Sequence, residues 1–271
     1  MAKKKAPAKK ATAKKKTTAR KAPPARPEYN ASAAASANMT KRDSIYVNFK
    51  EPGTVLARIL PRLDGNPAIF YKSVLHYKMK DPDDLDRGIA LGCLDHHDNS
   101  FCYACAVADW LAGQENQAWA KMGKGFGSFE ASDQVYVMGW VKNVATNEWE
   151  GPKLINVPAG PKGIAPKLTR KLSTAEDQRR PSFVDYDKGE TLALIREGTG
   201  RNTEYDVEST GEFISMDAVD KNWLAKAFKD VDKVLDVKVW DVATQREVME
   251  LSHPKLPWAQ IDAEVPMGYD S

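Results

Sequence analysis

The stretch SIYVNFKEPGTVLARIL (residues 44–60) decides how the rest of the chain is read. Ile45, Val47 and Phe49 alternate onto one face of Ser44–Phe49, Pro52 and Gly53 interrupt the chain, and Thr54–Leu60 follows as an apolar, β-branched run. A period of two broken by Pro and Gly is the mark of successive strands. Asp64, Gly65 and Asn66 then supply a turn before a third such run, Ile69–Tyr77, so the segment reads as a meander.

Working outward, Asp81–Asp86 reads as an acidic loop, and the Ala-rich Cys102–Met122, with Val107, Trp110 and Leu111 at helical spacing, as one helix. The glycine-rich 123–129 is a loop, Gln134–Val141 a strand, and Lys153–Val157 a short strand after a turn at 145–147. Pro161–Leu172 places Pro in its first turn and Ile164, Leu168 and Leu172 on one face, a helix. Thr191–Arg196 and Glu204–Val207 flank GTGRN (198–202) as a hairpin. Asp217–Phe228 reads as an amphipathic helix capped by Ser215, Lys233–Trp240 as a last strand, and the Pro-rich end as a tail. The expected class is mainly β with a few helices (α+β): a core over 41–240, a disordered basic arm over 1–40 and a short acidic tail over 241–271.

The formal net charge of +3 conceals a gradient. Residues 1–30 carry 11 Lys and Arg against one acid, 31–180 carry 19 against 17, and 181–271 carry 10 against 19. The arm resembles a linker-histone tail: it has almost nothing to bury, and it can neutralise phosphates without a fixed fold. No run approaches the roughly 18 apolar residues of a membrane span, and no apolar core follows the first lysines, so a cytosolic chain is expected. In a reducing compartment its three cysteines are thiols or metal ligands, not staples.

The sharpest local pattern is His76-x16-Cys93-x8-Cys102-x2-Cys105, with every cysteine of the chain inside 13 residues. Cys-x2-Cys lets one turn of backbone present two sulfurs to one ion, and thiolates with imidazole in a set of four suit tetrahedral zinc in a closed, structural site. On spacing alone His76, His96 and His97 all qualify as the fourth ligand.

Here the sequence resembles the zinc-containing single-stranded-DNA-binding (helix-destabilising) proteins of tailed bacteriophages. VLARILP (55–61) and VLHY (74–77) are similar to that family's strand and histidine before the zinc. The cluster Cys93, Cys102, Cys105 follows, then the aromatic strand VYVMGWV (135–141) and LIREGTGRNTEYDV (194–207). The resemblance covers about 44–240 and favours His76 as fourth ligand of one structural zinc per chain. It implies an OB-fold-type core with a zinc subdomain near 70–112. The implied activity is cooperative, sequence-independent binding of single strands, without catalysis, in phage DNA replication, recombination and repair. The place would be the cytoplasm of the infected bacterial host.

The family's basic motif for self-association along the strand is matched by Lys14, Lys15, Lys16, Thr17 and Thr18. Replication proteins are expected to contact the acidic C-terminal half, although the family's dense acidic, Ser-rich tail is replaced here by a diffuse one. The long arm also departs from the family, so it is expected to touch DNA directly.

Sequence-blind binding needs cations for phosphates and aromatic planes for bases. Arg58, Arg62, Lys72, Tyr77, Lys78, Lys121, Lys124, Phe126, Tyr136 and Trp140 are the candidates. The 121–129 loop stands out because its glycines permit close approach beside Lys124 and Phe126. Two other classes compete: a duplex-compacting protein led by the arm, and a metal-dependent nuclease for which DHHD (95–98) is the only hint. Neither a phosphate loop ending in Lys-Ser or Lys-Thr nor His-Glu-x-x-His is present.

Overall fold

A computed structural model describes residues 45–66, 68–125, 128–179, 181–235, 237–265 and Met267. The arm with its Lys14–Thr18 motif, and Phe126, lie outside the described residues. The rest is a mixed α+β structure built on one large sheet.

The opening stretch does form three strands in turn, β1 (Tyr46–Val47), β2 (Gly53–Ile59) and β3 (Tyr71–Asp81), but the expected meander is corrected: no two of them pair with each other, and each finds its partners further along the chain. The acidic loop is instead the tight turn of a hairpin, because β3 runs on to Asp81 and pairs with β4 (Asp84–Gly92). Strands β5 (Ser132–Asn143), β6 (Glu148–Asn156), β7 (Glu190–Glu197) and β8 (Glu204–Phe213) complete the sheet in the order β1-β6-β5-β2-β7-β8.

The long strand β5 organises the molecule. One edge pairs with β6, while the other is divided: Ser132–Tyr136 pair with β3 and Gly139–Lys142 with β2. Beyond Leu75, which pairs with both Ser132 and Gly92, β3 leaves β5 and pairs only with β4, so the β3–β4 hairpin projects from the sheet. That projection carries His76, the first of the candidate ligands.

Both faces of the sheet are covered. Val55, Ala57, Ile59, Val137, Val141 and Ile155 pack on one face beneath helix α4 (Ile164–Asp177) through Ile164 and Leu168. Leu60, Met138, Trp140 and Leu154 pack on the other beneath Met216, Ala227 and Val231. The last three come from a broken helical segment, with α5 (Met216–Val219), α6 (Trp223–Lys226) and α7 (Val231–Leu235) where one helix and then a strand were expected. Ser215 does cap α5, accepting from the Ala218 N–H at 3.2 Å.

A third core surrounds the projecting hairpin. It contains α1 (Leu94–Asp98), α2 (Tyr103–Ala112) and α3 (Gln117–Gly123), the expected single helix being broken at Gly113–Asn116. A side chain at Gly123 would collide with the backbone of Ala108 and Ala112, which is why α3 can fold back against α2. The expected tail is corrected: α8 (Val242–Ser252) and α9 (Trp258–Glu264) bury Val248, Met249, Trp258 and Ile261 in this same core. Burying a side chain of that size contributes about 1.5–3 kcal/mol, enough to dock helices that net acidity had suggested were solvated. Among the described residues no helix is long and apolar enough to cross a membrane.

Candidate metal centre

Hairpin register places the first two ligands. His76 lies opposite Leu91 and Leu75 opposite Gly92, and the ladder continues with Cys93 N–H donating to the Val74 carbonyl at 2.9 Å. His76 and Cys93 therefore sit diagonally on one face of the hairpin, within reach of each other. Cys93 also caps α1, its carbonyl accepting from His97 N–H at 3.0 Å. Cys102 caps α2, with Cys105 in the first turn above it. Two helix starts and one strand end thus meet at one point.

The four ligand atoms all lie within 4.8 Å of one another. His76 Nε2 is 3.3 Å from Cys102 Sγ and 3.5 Å from Cys105 Sγ, and Cys93 Sγ is 3.5 Å from Cys105 Sγ. Ligands on tetrahedral zinc, with Zn–S about 2.3 Å and Zn–N about 2.0–2.1 Å, stand about 3.6–3.8 Å apart, so these three close pairs lie slightly inside that spacing. His76 is fully buried, and Cys93 and Cys102 nearly so. The sulfurs are free thiols.

The imidazole is already oriented. His76 Nδ1 lies 2.7 Å from the Phe129 carbonyl, which can only accept, so Nδ1 carries the proton and Nε2 turns its lone pair to the sulfurs. Electrostatics are those of a cation site. A hydrogen bond from Cys105, with help from His76, pulls the Cys102 thiol down to about 3 against its burial. Its hydrogen bond with Cys102, followed by burial, holds the Cys105 proton on; burial does the same for Cys93. A divalent cation is the charge that would stabilise all three as thiolates. The buried group can hold a metal ion with four protein ligands and no position left for substrate. His96 and His97 pack edge to face on each other at 5.1 Å and lie outside this group, to which His76 contributes the imidazole.

Sequence reasoning missed the outer shell. Fully buried Gln245 of α8 accepts from Ala104 N–H at 3.1 Å, lies 3.6 Å from Cys102 Sγ, and donates to the Trp240 carbonyl at 3.0 Å. Asp262 of α9 accepts from Tyr103 and pairs with Arg246. A lone glutamine 140 residues from the cysteines gives no periodicity or motif to find it by.

The expected nucleic-acid contacts divide. Arg58 and Trp140 are fully buried and are corrected to core residues. The Arg58 guanidinium donates to the carbonyls of Ile59, Phe183, Asp185 and Ile214, lying where Gly189 leaves room for it. Trp140 points to the second covered face of the sheet. Arg62 is held by Asp64 and lies over the Tyr71 ring, and Tyr136 is half-buried beside Tyr46. Lys72, Tyr77, Lys78, Lys121 and Lys124 are exposed.

Tyr77 lines an open groove of 670 Å³ together with Gly125, Ser128, Glu130 and Asp133. Lys78 and Lys124 adjoin its lining in sequence. Both acids are engaged: Glu130 accepts from Gly125 N–H at 3.2 Å and Asp133 pairs with Lys72 at 3.1 Å. One wall, Tyr77, adjoins His76 in sequence, and the other includes Ser128 and Glu130, on either side of the Phe129 whose carbonyl holds His76. No family model and no curated protein matches this chain.

Proposed function

We propose that the protein binds single-stranded DNA without regard to sequence, using a β-rich core of the OB type stiffened by one structural zinc. One observation carries this reading: Tyr77 directly follows ligand His76, and the facing loop ends at the Phe129 carbonyl bonded to that ligand's ring. A metal at the centre would hold the aromatic wall and the glycine loop of the groove at a fixed separation. Cations then meet phosphates, and the tyrosine plane offers a stack worth about 1–3 kcal/mol per base. Zinc is favoured over other divalent ions by three sulfurs and one imidazole in a closed set. Closure also argues for a binder over a hydrolase, because no ligand position is left to activate water.

On this reading the chain coats template strands in phage replication, recombination and repair within the infected bacterium. It associates along the strand through its basic arm and meets replication proteins through its acidic C-terminal half. The test is a competition titration of oligo-dT against duplex DNA, with zinc determined on the same sample. We expect one zinc per chain and about tenfold or greater preference for the single strand. Equal affinity for duplex would favour the compacting alternative, and indifference to oligo-dT would overturn both.

A further inference from the structure

Two buried polar atoms without a hydrogen-bond partner belong to residues that line the same pocket. Ser73 is 1% exposed, and both its Oγ and His97 Nε2 are without a partner among the described residues. Both residues line a pocket of 300 Å³ outside the groove, with Asp98 and Asp232 among the remaining polar groups and Val237 and Val239 in its apolar wall. Buried hydroxyls and ring nitrogens in folded proteins are nearly always bonded, so a paired orphan at one cavity points to an occupant.

The pocket is built rather than accidental. Gly92 N–H donates to the Lys238 carbonyl at 2.8 Å, which ties 237–239 to the end of β4. A side chain at Gly92 would meet Val237 at 2.6 Å, Val239 at 2.8 Å and His97 Cδ2 at 3.2 Å, so three walls converge where only glycine fits.

We propose that this pocket takes a single unstacked nucleobase, an inference that rests on the single-strand reading above. The Ser73 hydroxyl and the His97 ring nitrogen can donate or accept, whereas Asp98 and Asp232 only accept. Two carboxylates repel a phosphate but receive the amino hydrogens of guanine or cytosine. The valine wall covers the face of a flat heterocycle, and a volume at the low end of the roughly 300–1,000 Å³ range for ligand pockets suits one ring system. Reading a splayed-out base by its edge is a known way for such proteins to add preference to a sequence-blind strand contact.

The test titrates the full, zinc-loaded chain, with nitrogen-labelled histidine, against guanosine, cytidine and uridine, which carry no phosphate. Guanosine and cytidine should move the His97 ring resonances saturably, and uridine, lacking an amino group, much less. Ser73→Ala should weaken guanosine by about threefold to tenfold without changing zinc content or oligo-dT binding. Val239→Phe, which fills the space, should abolish the shift. Still resonances with every nucleoside mean a pocket that holds only water, and an equal response to uridine removes the role given to the carboxylates; either overturns the proposal. If oligo-dT binds and no nucleoside does, the pocket fails while the function stands. If guanosine shifts His97 and oligo-dT does not bind, the pocket stands and the function fails.

Discussion

The ring of His76 bridges the sulfur cluster and the end of the glycine loop, its Nδ1 lying 2.7 Å from the Phe129 carbonyl oxygen. One side chain thereby fixes its own tautomer, presents Nε2 to Cys102 and Cys105, and ties residue 129 to residue 76. Phe129 is itself fully buried and stacks edge to face with His253 at 4.6 Å, while His253 Nε2 lies 2.8 Å from the Lys78 carbonyl. The candidate metal site, the loop and the C-terminal helices are therefore linked through shared side chains.

Metal removal should be felt across these linked parts. Chelation, or Cys102→Ser, is expected to raise hydrogen exchange in β3–β4, in α2 and around Phe129 together, and to weaken oligo-dT binding, because a structural metal contributes directly to folding. Strands β2 and β7, whose core is separate, should keep their protection. Uniform loosening of the whole chain would contradict the division into cores.

Gln245→Ala should be among the more damaging changes outside the ligands. It leaves the Ala104 N–H buried without its acceptor, a cost of about 1–3 kcal/mol. Loss of an outer-shell partner should also weaken zinc affinity about 10- to 100-fold. Competition with a chromophoric chelator reads the second effect, and thermal unfolding of the metal-saturated variant reads the first.

Arg58 and the groove residues should separate cleanly. Arg58→Met strands the carbonyls of Phe183, Asp185 and Ile214 and should lower stability by about 3 kcal/mol or more, with an unchanged salt slope of DNA binding in the fraction that folds. Lys78→Ala or Lys124→Ala should do the reverse, sparing stability while each reduces the salt slope by about one. Tyr77→Ala should cost about 1–3 kcal/mol of binding at every salt concentration.

Acid should release α9 before the sheet. The Arg246 guanidinium, helped by the Tyr103 hydroxyl, holds the Asp262 carboxyl below the usual range. Its stabilisation is therefore complete above the ordinary Asp value of about 3.9 and is lost as pH falls through the lowered one. The pair is partly exposed, so the contribution is below about 1 kcal/mol. Asp262→Asn should expose 258–264 to exchange at neutral pH and flatten the difference between pH 7 and pH 3. Zinc loss in acid is common to both proteins, so their difference isolates the carboxylate.

The strand run of 44–77, the hairpin at 190–213, the cap at Ser215 and the three cysteine positions of the candidate metal site were legible in the sequence, because each is set by local chemistry. Alternation, turn residues and ligand spacing act over a few residues and survive any tertiary arrangement. The choice of His76 over His96 and His97 was not of that kind. It depends on pairing Leu75 with Gly92, which brings a strand residue to sulfurs 17 to 29 positions away.

The tertiary structure alone decided which faces are covered. Alternation in β2 and β5 reports two faces but not what lies over the second; segment 216–235 packs with Trp140 there, and the 183–189 stretch with Ile214 encloses Arg58, so both became interior. In the same way the acidity of the last 30 residues describes the outer sides of α8 and α9, while the few apolar groups on their inner sides decide where they sit. Burial is a property of what packs from far along the chain, and no local pattern encodes it.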